Sequence, residues 1–204
     1  MLIALIALVL AVLVPAVGGR FSNVARLRLH GIWLVLFALA VQVLITSVLE
    51  TESVTLSKGL HLATYGAITI FILVNRRVPF MWVVGLGASA NFLVIAANGG
   101  VMPASRSALE ASGQSIDEGF RNSAPVDNAH LRFLGDNFST PKWLPFANVF
   151  SVGDVLLLVG LVLVFTAVSR IPTDAVAPYL RPNDDDDCIT AHVPPGVDER
   201  DVQR

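Results

Sequence analysis

Five apolar stretches dominate the chain: Met1 to Val17, Ile32 to Leu49, Leu60 to Val74, Phe80 to Ala97 and Val152 to Val168. A run of about 18 or more apolar residues is what a helix needs to cross a bilayer. Inside lipid, every backbone N–H and C=O of such a run must be bonded within the segment, which a helix achieves alone. The chain therefore reads as an all-α integral membrane protein with five transmembrane helices. The third stretch is the most diluted, by His61, Thr64, Tyr65 and Thr69. Composition agrees, with only 15% charged residues, where soluble domains carry about 25%. The first stretch has small residues in "VPAVGGR", as a cleaved signal peptide would, but no charged side chain precedes it; Arg20, Arg26 and Arg28 follow it instead. That order favours a retained helix.

The arginines also set the orientation, because cytoplasmic loops collect Lys and Arg. Arg20, Arg26 and Arg28 occupy the first loop, Arg76 and Arg77 the third, and Arg170 and Arg181 follow the last helix. The second loop holds Lys58 beside Glu50 and Glu52. The amino terminus is therefore expected outside, the carboxyl terminus in the cytoplasm, and a long loop, residues 98–150, on the exterior between helices 4 and 5. One membrane domain, residues 1–171, is followed by a tail, residues 172–204. Its prolines and the acidic run Asp184 to Asp187 make it an expected disordered cytoplasmic segment.

Several classes are excluded early. The single cysteine, Cys188, allows no intramolecular disulfide and no thiolate cluster. A net charge of −2 without a basic stripe gives nucleic acid no footprint. No HExxH, CxxC, GxSxG or P-loop occurs, and "GLGAS" lies inside an apolar span rather than after a strand. No metal and no cofactor is expected.

The exterior loop is not low-complexity. Ser107 stands three residues before Glu110, a capping-box spacing that predicts a short helix ending near Gly113. A second short helix is expected near "DNAHLRFLGD", and Trp143, Phe146 and Phe150 suit the headgroup level of a membrane. His130 and Asp136, six residues apart, could share a site with Asp127, though spacing alone does not show it. Asn137-Phe138-Ser139 forms a glycosylation sequon, expected to be unused in a bacterial chain.

Candidate site residues gather where helices meet this loop. Asn98, Asp154 and His61 are expected at similar depth near the outer interface, where ionisable groups become functional candidates. Each also has a structural reading. Ser151 and Asp154 match a capping pattern ahead of the last apolar run. Asn98-Gly99-Gly100 suits a helix stop, since Gly and Asn adopt the left-handed conformation that ends helices, and Pro103 prevents resumption. His61 can be a base, a switch or a satisfied structural group. Gln42 and Asn91 can hydrogen-bond between helices, and Gly85, Gly87, Ala88 and Ala90 offer a surface for close helix approach.

"NGGVMPAS" after an apolar helix, with "FLGDNFSTPKWLPFANVFSVGDVLLLVG" later, resembles a family of small bacterial, often actinobacterial, membrane proteins known only as a domain of unknown function. The resemblance covers about residues 1–170. Its most specific part is the pair of signatures at Asn98 to Pro103 and Ser151 to Asp154. It implies a bacterial inner-membrane, multi-pass location and supplies no activity.

Two functional readings follow. In the first, the chain is a non-enzymatic accessory or scaffold subunit, its helices packing on partners within a membrane complex and otherwise facing the lipid bilayer. In the second, it is an enzyme or carrier for a lipid, quinone or small solute at the outer interface. There Asp154 and His61 would be the reactive pair, with Asn98, Gly99, Gly100 and Ser151 binding and Trp143 with Phe146 forming an apolar lid.

Overall fold

The computed structural model describes residues 18–47, 54–113, 123–144, 147–172 and 179–180. The expected first span, Met1 to Val17, and most of the tail lie outside the described residues. Four long apolar helices follow: α2 (Ile32–Ser47), α3 (Val54–Val74), α4 (Met81–Ala97) and α6 (Val152–Ser169). A short helix, α1 (Phe21–Ala25), stands where the sequence suggested only a loop. α3 and α6 are long and apolar enough to cross a membrane. At 1.5 Å per residue they reach about 32 and about 27 Å, the thickness of a hydrocarbon core. α3 begins six residues before the expected Leu60, because Lys58 and Gly59 interrupt the apolar run without interrupting the helix.

The helices alternate in direction. The start of α2 meets the end of α3 at Gly31 and Val74, and Gly85 of α4 faces Ile72 of α3. α4 packs most extensively on α6, through a glycine seam. A Cβ on Gly87 would lie 2.7 Å from the Gly153 carbonyl oxygen and the Leu157 nitrogen, and one on Gly160 would lie 2.7 Å from the Val84 nitrogen. Only hydrogen fits, so the backbones approach closely, as small residues permit in membrane helices. The small-residue surface expected on this helix therefore divides, Gly87 facing α6 and Gly85 facing α3.

All four helices present large side chains outward. Trp33 and Phe37 on α2, Leu73 on α3 and Trp82 and Leu93 on α4 are each more than half exposed, and Val155 and Val159 on α6 are exposed as well. The residues are apolar on nearly every face, the pattern of a spanning helix or of one covered by a partner.

The arginine-bearing end is closed by backbone and amide bonds. Asn75 accepts from the His30 amide (2.9 Å) and donates to the His30 carbonyl (2.8 Å), joining the end of α3 to the start of α2. Asn23, fully buried, donates to the Ile171 carbonyl at 2.7 Å. Tyr179 and Leu180, assigned by sequence to the tail, return to this end. Leu180 bridges to Leu27 and is buried against Val78, Met81, Val164 and Val168.

At the opposite end the described residues of the 98–150 loop form a cap. Strands β1 (Met102–Pro103) and β2 (Ser123–Ala124) pair in parallel, and β3 (Asp136–Ser139) pairs antiparallel with β4 (Val149–Ser151). These short strands are absent from the all-α expectation. Prolines and alternating polar residues hide so brief a pairing from sequence periodicity. Helix α5 (Arg106–Ser112) is capped by Ser105, not Ser107: the Ser105 hydroxyl accepts from the Ala108 amide at 3.2 Å. It ends at Gly113, left-handed with φ 73°, as expected. The second expected helix is one 3-10 turn, Arg132–Leu134. Ala104, Ala108, Leu109 and Val149 form the cap's own small core.

Candidate functional site

Beneath the cap, α2, α3, α4 and α6 line an open-sided cavity of about 720 Å³. Because the helices are antiparallel, chain position gives depth. Its apolar lining, including Val35, Leu39, Ile68, Phe71 and Val84, comes mainly from the helix halves nearer the arginine end. Its polar lining, His61, Thr64, Tyr65, Asn91, Asp136 and Asp154, comes from the cap and the helix halves beside it. Among the described residues, neither Lys nor Arg lines it.

Asp154 is fixed by the start of α6. Ser151 is the N-cap; its hydroxyl accepts from the Asp154 amide at 3.1 Å, while Asp154 Oδ2 accepts from the Ser151 amide at 2.9 Å. This reciprocal pair is the expected capping box, and it satisfies two otherwise orphaned donors. The other carboxylate oxygen accepts from Asn91 Nδ2 at 2.9 Å. The Ser151 hydroxyl lies 2.8 Å from Asn91 Oδ1 and 3.0 Å from Asp154 Oδ2, and its one proton serves one of them at a time. Asn91 thus ties α4 to the head of α6. Gly153 makes room for it, since a Cβ there would meet the Asn91 side chain.

Asp136 enters from the cap. It pairs with Ser151 across β3 and β4 and bridges to Ala104, so three segments of the chain lie side by side there. Its carboxylate accepts from the Ser123 hydroxyl and is 4% exposed. Burial pushes its pKa up to about 6, and the negative charge of Asp154 pushes the same way, against the Ser123 hydrogen bond. One of two carboxyl groups sharing a cavity thus titrates near neutral pH, a pattern that supports proton donation and acceptance in one site.

His61 is 3% exposed. Its Nδ1 lies 3.0 Å from the Gly100 carbonyl oxygen, which can only accept, so Nδ1 carries the proton. The helix stop makes this contact. Gly99 and Gly100 have φ of 66° and 94°, and the Gly100 amide returns to the Ile95 carbonyl at 2.8 Å. A side chain on Gly100 would also strike Lys58, 2.8 Å from its Cβ. The Tyr65 ring stands 5.5 Å from the His61 imidazole and 6.0 Å from Phe92.

The sequence-derived set divides here. Asp154 and His61 line the same cavity, and Ser151 and Gly100 hold them from behind. Asn98 does not reach it: the side chain donates to the Val94 and His130 carbonyls and accepts from the His130 amide at 2.9 Å, a cap and a loop tether. Gly99 is exposed at the turn. Trp143 is 77% exposed and covers nothing in the cavity, while Phe146 lies outside the described residues. His130 and Asp127 are exposed and do not join Asp136. Asp136 and Tyr65 went unrecognised as members of this group, and Asn91 looked like packing. The polar interruption of the third span hints at Tyr65 alone, and the sequence groups Asp136 with His130 and Asp127 instead.

No solved structure matches this chain. An uncharacterised protein of Thermotoga maritima is 27% identical over 171 residues, covering 83% of this chain and 91% of the relative. The sequence model of a family of unknown function, DUF5317, matches residues 26–166, and the chain belongs to that family.

Proposed function

We propose that this is a five-span bacterial inner-membrane protein, amino terminus outside, whose cap-covered cavity binds an amphipathic ligand and carries or processes it at the outer interface. Two helices of spanning length support the membrane placement, as do the exposed Trp33, Trp82, Leu73 and Leu93, since apolar surface of that extent marks a membrane or a partner. Gathering of Arg20, Arg28, Arg76, Arg77 and Arg170 at the end away from the cap supports a cytoplasmic assignment for that end.

The observation that carries the functional reading is the cavity itself. Apolar walls suit a hydrocarbon or isoprenoid body, and a polar end holding Asp136, Asp154, His61 and Tyr65 suits a head group. With two carboxyl groups and, among the described residues, no Lys or Arg in the lining, a phosphate or carboxylate head would meet repulsion. A hydroxyl- or amine-bearing head would instead donate to Asp154 and Asp136. A scaffold subunit has no need of a buried carboxyl group pushed toward neutral pH, so the accessory-subunit reading ranks second.

The test is organic extraction of the purified protein followed by mass spectrometry, on the wild type and on Asp154→Asn. A hydroxyl- or amine-headed amphiphile retained by the wild type and lost from a folded, equally abundant Asp154→Asn variant is expected. Equal loss of abundance and ligand would reduce Asp154 to a capping residue.

A further inference from the structure

The arginine end holds a second pocket, of about 470 Å³. We propose that it binds the phosphate of an anionic phospholipid of the cytoplasmic leaflet. Arg28, Arg76, Arg77 and His30 line it together with Tyr179, and among the described residues no carboxylate does. Arg76 and Arg77 stand in the turn directly after α3 ends at Val74, the level at which a spanning helix meets headgroups. The walls are fixed: Asn75, 2% exposed, clamps the His30 backbone, and the Arg28 amide donates to the Tyr179 carbonyl at 2.8 Å.

The pocket continues into apolar surface. Leu73 and Val74 line its edge, and with Ile70 they form one i, i+3, i+4 face of α3 that is 53%, 60% and 52% exposed at Ile70, Leu73 and Val74. A phosphate among the guanidinium groups places an acyl chain along this strip. Basic pockets at the cytoplasmic ends of spanning helices recognise anionic headgroups in this manner, and guanidinium forks match phosphate oxygens. The other occupant that fits by charge is the chain's own run Asp184 to Asp187, a few residues beyond Leu180.

The inference rests on the proposed membrane placement but not on the ligand of the capped cavity. The experiment is native mass spectrometry of the full chain in mild detergent, delipidated and then titrated with phosphatidylglycerol or with phosphatidylcholine of the same acyl chains. Wild type is expected to prefer phosphatidylglycerol by about tenfold or more, with the preference lost in Arg76→Gln/Arg77→Gln. Absence of preference in the wild type overturns the proposal whether or not the variant folds. Competition by inorganic phosphate at equal concentration would make this a free-phosphate site. Preference that emerges only after Asp184 to Asp187 are all changed to Asn would make the tail the occupant. Carbonate extraction of membranes separates the two failures: a chain released by carbonate refutes the membrane placement, whereas a retained chain without lipid preference refutes the pocket alone.

Discussion

Replacing Asp136 by Asn tests whether the site holds a charge at the expense of stability. The carboxyl group is 4% exposed, and its pKa stands at about 6 against an ordinary 3.8, raised first by burial and then by Asp154. Between those two values the folded protein binds more protons than the unfolded chain, so stability falls as pH rises through this window. The penalty is absent near pH 4 and complete above about pH 7. A shift of about two units corresponds to at most about 3 kcal/mol. Asn keeps an acceptor for Ser123 and carries no charge, so Asp136→Asn should be the more stable protein at pH 8. At about 2–4 °C per kcal/mol for a chain of this size, the gain is several degrees in Tm and at most about 12 °C. Thermal unfolding in mild detergent, followed by tryptophan fluorescence at pH 4.5, 6 and 8, reads the effect directly. A gain that grows with pH is expected. A variant less stable than wild type at pH 8, or an offset equal at every pH, would refute the argument from burial.

Other outcomes follow from the same geometry. Gly160→Leu forces a side chain into the Val84 backbone and should destabilise the α4–α6 seam by at least about 1–3 kcal/mol, read as a lower Tm, whereas Gly59→Ala, with nothing within 4 Å, should be nearly silent. Asn91→Leu removes the bond to Asp154 and the acceptor facing Ser151 and is expected to cost about 1–3 kcal/mol and to reduce ligand retention; unchanged retention would separate the amide bridge from the site. Trp143→Ala should leave both Tm and bound ligand unchanged, because the side chain is 77% exposed; a lost ligand would restore the lid. In intact cells a membrane-impermeant maleimide should label Cys introduced at Trp143 in a Cys188→Ser background and should miss the native Cys188; the opposite pattern would invert the topology.

Much of this architecture was legible because long apolar runs leave so few solutions. Four of the five apolar stretches match helices to within a few residues at most boundaries, and the helix stop at Asn98-Gly99-Gly100 and the capping box at Ser151 and Asp154 follow from local backbone chemistry. What local chemistry could not supply was pairing at a distance. Asp136 joins the site through strand pairing with Ser151 and a bridge to Ala104, and strands of four and three residues are too short for periodicity to announce that. His130, its neighbour in sequence, is held by Asn98 on the cap's outer side instead. Ser105 outcompeted Ser107 as a cap because β1 delivers the chain to the helix in an extended conformation at residue 105. Leu180 was hidden in a stretch whose prolines and acids point to a solvated tail, yet its apolar side chain fills the bundle end beside Val168.

The central claim is that the cap-covered cavity holds a ligand, and native mass spectrometry of the wild-type protein released from its own membranes tests it most directly. The account predicts one chain carrying one amphiphile with a hydroxyl or amine head, displaced when Asp154 is changed to Asn. A bare chain with no adduct, or a stoichiometric partner protein in place of a ligand, would contradict it.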